Sequence, residues 1–184
     1  MSNQTPSQTV GPYFAYGLAA EQYGYPNGQI ADGTMAPEDA DRIRIVGRVF
    51  DGQGAVIPDA LIELWQADAN GRYGADGASG FGRRGTGTDA QGRFVFDTIK
   101  PGAATGQAPF ITVVVLMRGL LSHVYTRLYF SDEAGANAAD PTLASVPAER
   151  RGTLIAQREE TAQGVVYRFD IHMQGEDETV FFDL

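Results

Sequence analysis

Residues 121–130 read LSHVYTRLYF. Val124, Thr126, Leu128 and Phe130 alternate there with His123, Tyr125, Arg127 and Tyr129, the two-residue period of a strand with one face in a core. The second set carries an imidazole, two phenols and a guanidinium, so that face is expected to keep polar company. Upstream, PFITVVVLMRG at 109–119 is a continuous β-branched run of the kind expected for a strand buried on both faces. In RIRIVGRVF at 42–50, Ile43, Ile45, Gly47 and Val49 alternate with Arg42, Arg44, Val46 and Arg48, again a half-buried strand. LIELWQAD (61–68), the stretch 88–102, TLIAQRE (153–159), VVYRFDIHM (165–173) and TVFFDL (179–184) are of strand type as well.

Turn chemistry separates these runs: Asn70-Gly71, the Asp89 to Gly92 stretch, and the Gly/Pro-rich DGQGAVIPDA at 51–60. GASGFGRRGTG at 77–87 reads as a flexible surface loop, and SDEAGANAADP at 131–141 as a small-residue loop. Residues 17–41 lack a sustained period and are expected to wrap the rest as an irregular arm with at most one short helix. Seven or eight short strands with little helix predict an all-β protein, a two-sheet β-sandwich over 42–184 behind an N-terminal arm over 1–41, in one domain. Trp65, the only tryptophan, is expected in its core.

Composition narrows the chemistry. The chain has 184 residues, 43% hydrophobic and 20% charged, with a formal net charge of −9. No apolar run approaches a membrane span. A phosphate backbone would be repelled by this charge unless basic residues were gathered on one face, and no such patch is evident, so neither nucleic acid nor membrane is expected as partner. There is no cysteine, which removes disulfides, thiolate nucleophiles and cysteine-ligated metal. With no secretory signal pattern in the first twenty residues, a cytoplasmic location is expected.

Only two histidines occur, His123 and His172, both in strand patterns and without H-x-H or H-x-x-x-H spacing. No G-x-S-x-G elbow supports a hydrolase triad, and no G-K-[ST] supports a phosphate loop. An anionic substrate would need a local arginine against the overall charge, which makes single arginines worth following.

Several spaced motifs carry a resemblance: TPSQTVGPYF at 5–14, ELWQADANGRY at 63–73, IKPG at 99–102, HVYTRLYF at 123–130 before an acidic small-residue loop, and YRFDIHMQGEDETVFFDL at 167–184. Together they resemble the intradiol ring-cleaving dioxygenases, and within that family the iron-free α chains of the two-subunit members. The resemblance covers nearly the whole chain. It implies a β-sandwich and, in the catalytic chains, ferric iron held by two tyrosines and two histidines. Phenolate oxygens suit a hard, highly charged ion, and the metal keeps a phenol deprotonated.

Tyr73 stands at the first tyrosine position of that ligand set. The second, expected just after IKPG, reads Ala103-Ala104-Thr105, the H-x-H position reads Phe110-Ile111-Thr112, and the arginine expected shortly before it is Gln107 or a neighbour. A single phenol cannot hold ferric iron against water and hydroxide. Tyr73 is therefore expected to pack or hydrogen-bond at a vestigial ligand position, with no metal on this chain and Fe(III) in a homologous β subunit.

The resemblance further implies that this chain lends wall to a shared pocket for protocatechuate and O2, in a higher α–β assembly. The residues matching that contribution are Thr9, Gly11, Pro12 and Arg127. Gly11-Pro12 is equally readable as a plain turn, and Arg127 as an interface ion pair. The implied reaction inserts both atoms of O2 between the hydroxyl-bearing carbons, giving 3-carboxy-cis,cis-muconate. A non-enzymatic β-sandwich binding module that has kept the fold is the alternative.

Overall fold

The computed structural model describes residues 14–25, 34–36, 40–74 and 80–183. Among the described residues, nine strands run in the order β1 (Arg42–Phe50), β2 (Leu61–Gln66), β3 (Phe81–Gly85), β4 (Arg93–Ile99), β5 (Phe110–Leu116), β6 (Val124–Phe130), β7 (Ile155–Thr161), β8 (Gly164–Arg168) and β9 (Ile171–His172). They are linked laterally as β3-β2-β5-β6-β7-β8-β1-β4, with β9 beside β1. One sheet holds β3, β2, β5 and β6, and the other β8, β1 and β4. Strand β7 belongs to both: Ile155 and Ala156 pair with β6, and Gln157 to Thr161 pair with β8.

The sandwich core forms where the inner faces meet. Ile62, Leu64, Ile111, Val113, Val115, Leu128 and Phe130 from one sheet pack with Ile43, Ile45, Val49, Phe94, Phe96 and Tyr167 from the other. Gly47 stands where β1 and the segment after β8 approach closely: a Cβ there would lie 1.8 Å from the Phe169 carbonyl oxygen and 2.4 Å from the Phe94 ring. Only a residue without a side chain fits.

Several expectations are corrected. Phe81–Gly85, inside the expected glycine-rich loop, is strand β3, paired with β2 from Leu61–Gly85 to Trp65–Phe81. Pairing and packing outweigh the low strand propensity of its two glycines. Strand β5 is not buried on both faces. Ile111, Val113 and Val115 are buried, while Thr112, Val114 and Leu116 on the other face are only partly covered. The small-residue loop after β6 contains α2 (Ala134–Ala139) and ends on the first residue of α3 (Pro141–Ser145), which is followed by a 3-10 segment over Ala148–Leu154. At the C-terminal end, the described part of TVFFDL forms an isolated bridge, Phe182 to Tyr125, rather than a strand. The arm's described residues include α1 (Phe14–Leu18) and a 3-10 turn, Ala20–Tyr23.

Two coverings shape the outer face of the β3-β2-β5-β6 sheet. From the arm, Gln22 docks on the β3 edge, donating from Nε2 to the Gly85 carbonyl (3.1 Å) and accepting the Gly85 N–H at Oε1 (2.7 Å). A second apolar cluster, Ala108, Phe110, Tyr129, Leu143, Val146 and Leu154, seats α3 and the 3-10 segment against β5 and β6. Among the described residues no helix is long and apolar enough to cross a membrane.

Candidate functional site

Between those coverings, one cross-strand row crosses the sheet: Phe81 opposite Trp65, Trp65 opposite Thr112, and Thr112 opposite Arg127. Directly paired residues project to one face, and neighbouring strands lie ~4.8 Å apart. Trp65 and Arg127 therefore rise about two strand spacings apart, ~10 Å at the backbone, with the short Thr112 between them. Trp65 is 43% exposed, which corrects its expected core position. The parity of LIELWQ explains this: Ile62 and Leu64 point inward, leaving Trp65 on the same face as Glu63.

Tyr73 reaches this face from the turn after β2. The Asp68 carboxylate accepts the Asn70 and Arg72 backbone N–H groups at 2.8 and 2.9 Å and pairs with the Arg72 guanidinium. Gly71 takes φ +77°, and a Cβ there would lie 2.0 Å from the Ala103 carbonyl oxygen, so the turn lies flat on the segment after IKPG. Gly102 donates to the Asp68 carbonyl at 2.9 Å from the other side. The buried Gln66 amide secures the strand end, donating to the Ile99 carbonyl and accepting from the Thr98 hydroxyl, both at 2.9 Å. Tyr73, 41% exposed, lies nearly parallel to Trp65, at 18° with ring centres 6.2 Å apart. Burial pushes its phenol above the ordinary value, and the charge of Arg127 pulls it back.

Arg127 is half-buried. Its guanidinium carbon sits 4.1 Å from the Phe110 ring centre, and Nη1 donates to the Thr142 hydroxyl at 3.3 Å and to the Tyr129 hydroxyl at 3.4 Å. Cation–π contact of this kind is worth about 0.5–2 kcal/mol, depending on desolvation. The Tyr129 hydroxyl, pushed up to about 12 chiefly by burial, donates to Asp140 at 3.1 Å. Arg127 makes no ion pair with a described carboxylate of its own chain, and its alternative reading as an interface ion pair concerns a carboxylate of another chain. One row along, Arg83 and Glu63 form a well-shielded ion pair, with 2.6 Å between Nη2 and Oε1.

Tyr73 and Arg127, which the sequence singled out separately, thus share one site. Thr9, Gly11 and Pro12 lie outside the described residues. Both histidines are elsewhere: His123 shares a 2.7 Å hydrogen bond with the Tyr125 hydroxyl, and His172 stacks on Phe50 with 4.9 Å between ring centres. Sequence reasoning missed Trp65, Tyr129, Thr142 and Asp140 as members. The Asp-Pro start of α3 and the parity of LIELWQ were the available signals.

A family model described as Dioxygenase matches residues 10–118. The chain is 56% identical to the protocatechuate 3,4-dioxygenase alpha chain of Burkholderia cepacia, with 98% of each chain covered. The chain belongs to the intradiol dioxygenase family. It is also 34% identical to the protocatechuate 3,4-dioxygenase beta chain of Burkholderia cepacia, over 76% of this chain and 67% of that one. Among solved structures, the dioxygenase domain of a carbohydrate-binding fusion protein from Streptomyces sp. SirexAA-E has the same fold. Its TM-score is 0.62 at 23% identity, covering 97% of this chain and 100% of that one.

Intradiol dioxygenases use ferric iron, and the residues of this site do not fit it. Beside Tyr73 stand an indole, a benzene ring, a threonine hydroxyl and a guanidinium. A fixed cation over Phe110 opposes a second cation in the same space, and one phenol raised by burial is a poor ligand. Among the described residues no group of three or more His, Cys, Asp or Glu could hold a metal ion.

Proposed function

We propose that this chain is the α subunit of a protocatechuate 3,4-dioxygenase, acting as one unit over residues 1–184 with a homologous β subunit that carries the Fe(III). One observation carries the reading: near-complete correspondence at 56% identity with an α chain, against 34% over a shorter span with a β chain from the same organism. The reaction is intradiol cleavage of protocatechuate by O2 to 3-carboxy-cis,cis-muconate. Iron in the partner supplies the oxygen chemistry, and this chain supplies pocket wall and scaffold in a higher α–β oligomer in the cytoplasm.

Within that division of labour, Arg127 receives the substrate carboxylate, and Thr9, Gly11 and Pro12 form wall where a backbone with little side chain lets a planar ring come close. The net charge of −9 makes such a local cation necessary for an anionic substrate. Its guanidinium is stacked on Phe110, so part of the ordering cost of a long side chain is met before binding.

Metal analysis of the two chains, purified together and then separated, tests the assignment. The expected result is iron that follows the partner chain and none with this one. About one ferric ion per copy of this chain, with a phenolate charge-transfer band, would overturn it.

A further inference from the structure

We infer that Asp140, a buried carboxylate outside the aromatic row, is the positioning residue for the Arg127 guanidinium and, through it, for recognition of the negative group on the ring substrate. The second half of the inference rests on the role proposed above for Arg127.

Among the described residues, three groups hold the guanidinium: the Phe110 ring face, the Tyr129 hydroxyl and the Thr142 hydroxyl. Each leads back to Asp140, which is 1% exposed. Its Oδ1 accepts the Tyr129 hydroxyl at 3.1 Å. The same oxygen accepts the Leu143 N–H at 2.8 Å, the N-cap bond that starts α3, whose second residue is Thr142. Its Oδ2 accepts the Ala108 N–H at 2.9 Å, two residues before Phe110 opens β5. One carboxylate thereby ties together a side chain of β6, the first turn of α3 and the entry of β5.

Those donors satisfy it: no described cation lies within ion-pair distance of Asp140, so its bonds are committed to organising the clamp. The direction of the relay is fixed too. Arg127 only donates and a carboxylate only accepts, so the hydroxyl between them must accept from one and donate to the other, which a neutral phenol does. Burial keeps that phenol neutral. Beyond the two Nη1 bonds, the guanidinium makes no hydrogen bond to a described residue, which leaves donors available to an incoming carboxylate.

The test uses the assembled α–β complex with Asp140→Asn. Asparagine keeps an oxygen for Leu143 and Tyr129 but turns an NH2 toward the Ala108 N–H. Freeing the arginine should raise KM for protocatechuate roughly ten- to thirtyfold, the factor that corresponds to restored rotamer freedom. Kinetics on catechol, which lacks the carboxylate, should stay unchanged. In an Arg127→Ala background the same change should add nothing, as expected for residues acting as a unit. Tyr129→Phe keeps the buried ring, removes only the relay, and carries the test if Asp140→Asn does not assemble.

Crystal structures of both variants read the guanidinium directly, and it should leave the Phe110 face. A guanidinium still stacked on Phe110 in both variants overturns the inference whatever the kinetics. Equal losses on protocatechuate and catechol also overturn it, by marking Asp140 as structural only. A displaced guanidinium with unchanged KM for protocatechuate upholds Asp140 as its positioner and instead overturns the substrate role of Arg127.

Discussion

The Arg127 guanidinium carbon lies 4.1 Å from the centre of the Phe110 ring, at the same site as Trp65 and Tyr73. By the family resemblance, Phe110 stands where the catalytic chains carry a ligand histidine. Arg127→Ala in the assembled enzyme should raise KM for protocatechuate by about ten- to a hundredfold, the usual worth of a charge-assisted hydrogen bond. Iron content should not change. Steady-state kinetics with parallel metal analysis check this, and equal KM values for wild type and variant would contradict it.

Trp65 lies outside the sandwich core, so its truncation should cost little. Trp65→Ala is expected to lower stability by less than about 1 kcal/mol, whereas Phe96→Ala, at a fully buried position, should cost about 3–5 kcal/mol. Denaturant titration of the two variants distinguishes them. As the only tryptophan in the chain, Trp65 also makes intrinsic fluorescence a reporter of this face alone.

The alternation in 42–50 and 121–130 made strands β1 and β6, and the inward set of each, readable from the residues alone. Strand β3 was not readable, because FGRRG carries no period; its pairing with β2 is a tertiary fact. Helix α3 announced itself only through Asp140-Pro141, an N-cap followed by proline in the first turn. Trp65 was misplaced because a lone tryptophan suggests a core, although Glu63 on the same face argued otherwise. Tyr73 and Arg127 came from motif resemblance, and their meeting required the register of three strands.

Glycine positions offer a sharp contrast. Gly47→Ala should cost at least about 3 kcal/mol through overpacking, because its Cβ would overlap the Phe169 carbonyl and the Phe94 ring. Gly135→Ala, in α2 with nothing within 4 Å, should instead be neutral or stabilise by up to about 1 kcal/mol. Thermal melts of the two single variants check the prediction.

Asp89 sets an acid response. The Arg93 guanidinium and backbone N–H bonds lower its carboxyl from 3.8 to about 2. A carboxylate depressed in the folded state binds its proton more readily once unfolded, so its contribution is present above about pH 4 and is lost as pH falls toward 2. Both side chains are partly exposed, so the effect is screened and modest. Asp89→Asn should lower Tm at pH 7, and the gap from wild type should close between pH 4 and 2. A gap that stays constant over that window would contradict the assignment.

The most direct measurement of the central claim is O2 uptake with protocatechuate by the iron-bearing partner chain, with and without this chain. The account predicts no uptake by this chain alone and efficient uptake only when the two are combined. Full activity of the partner without it, or uptake by this chain by itself, would contradict the account.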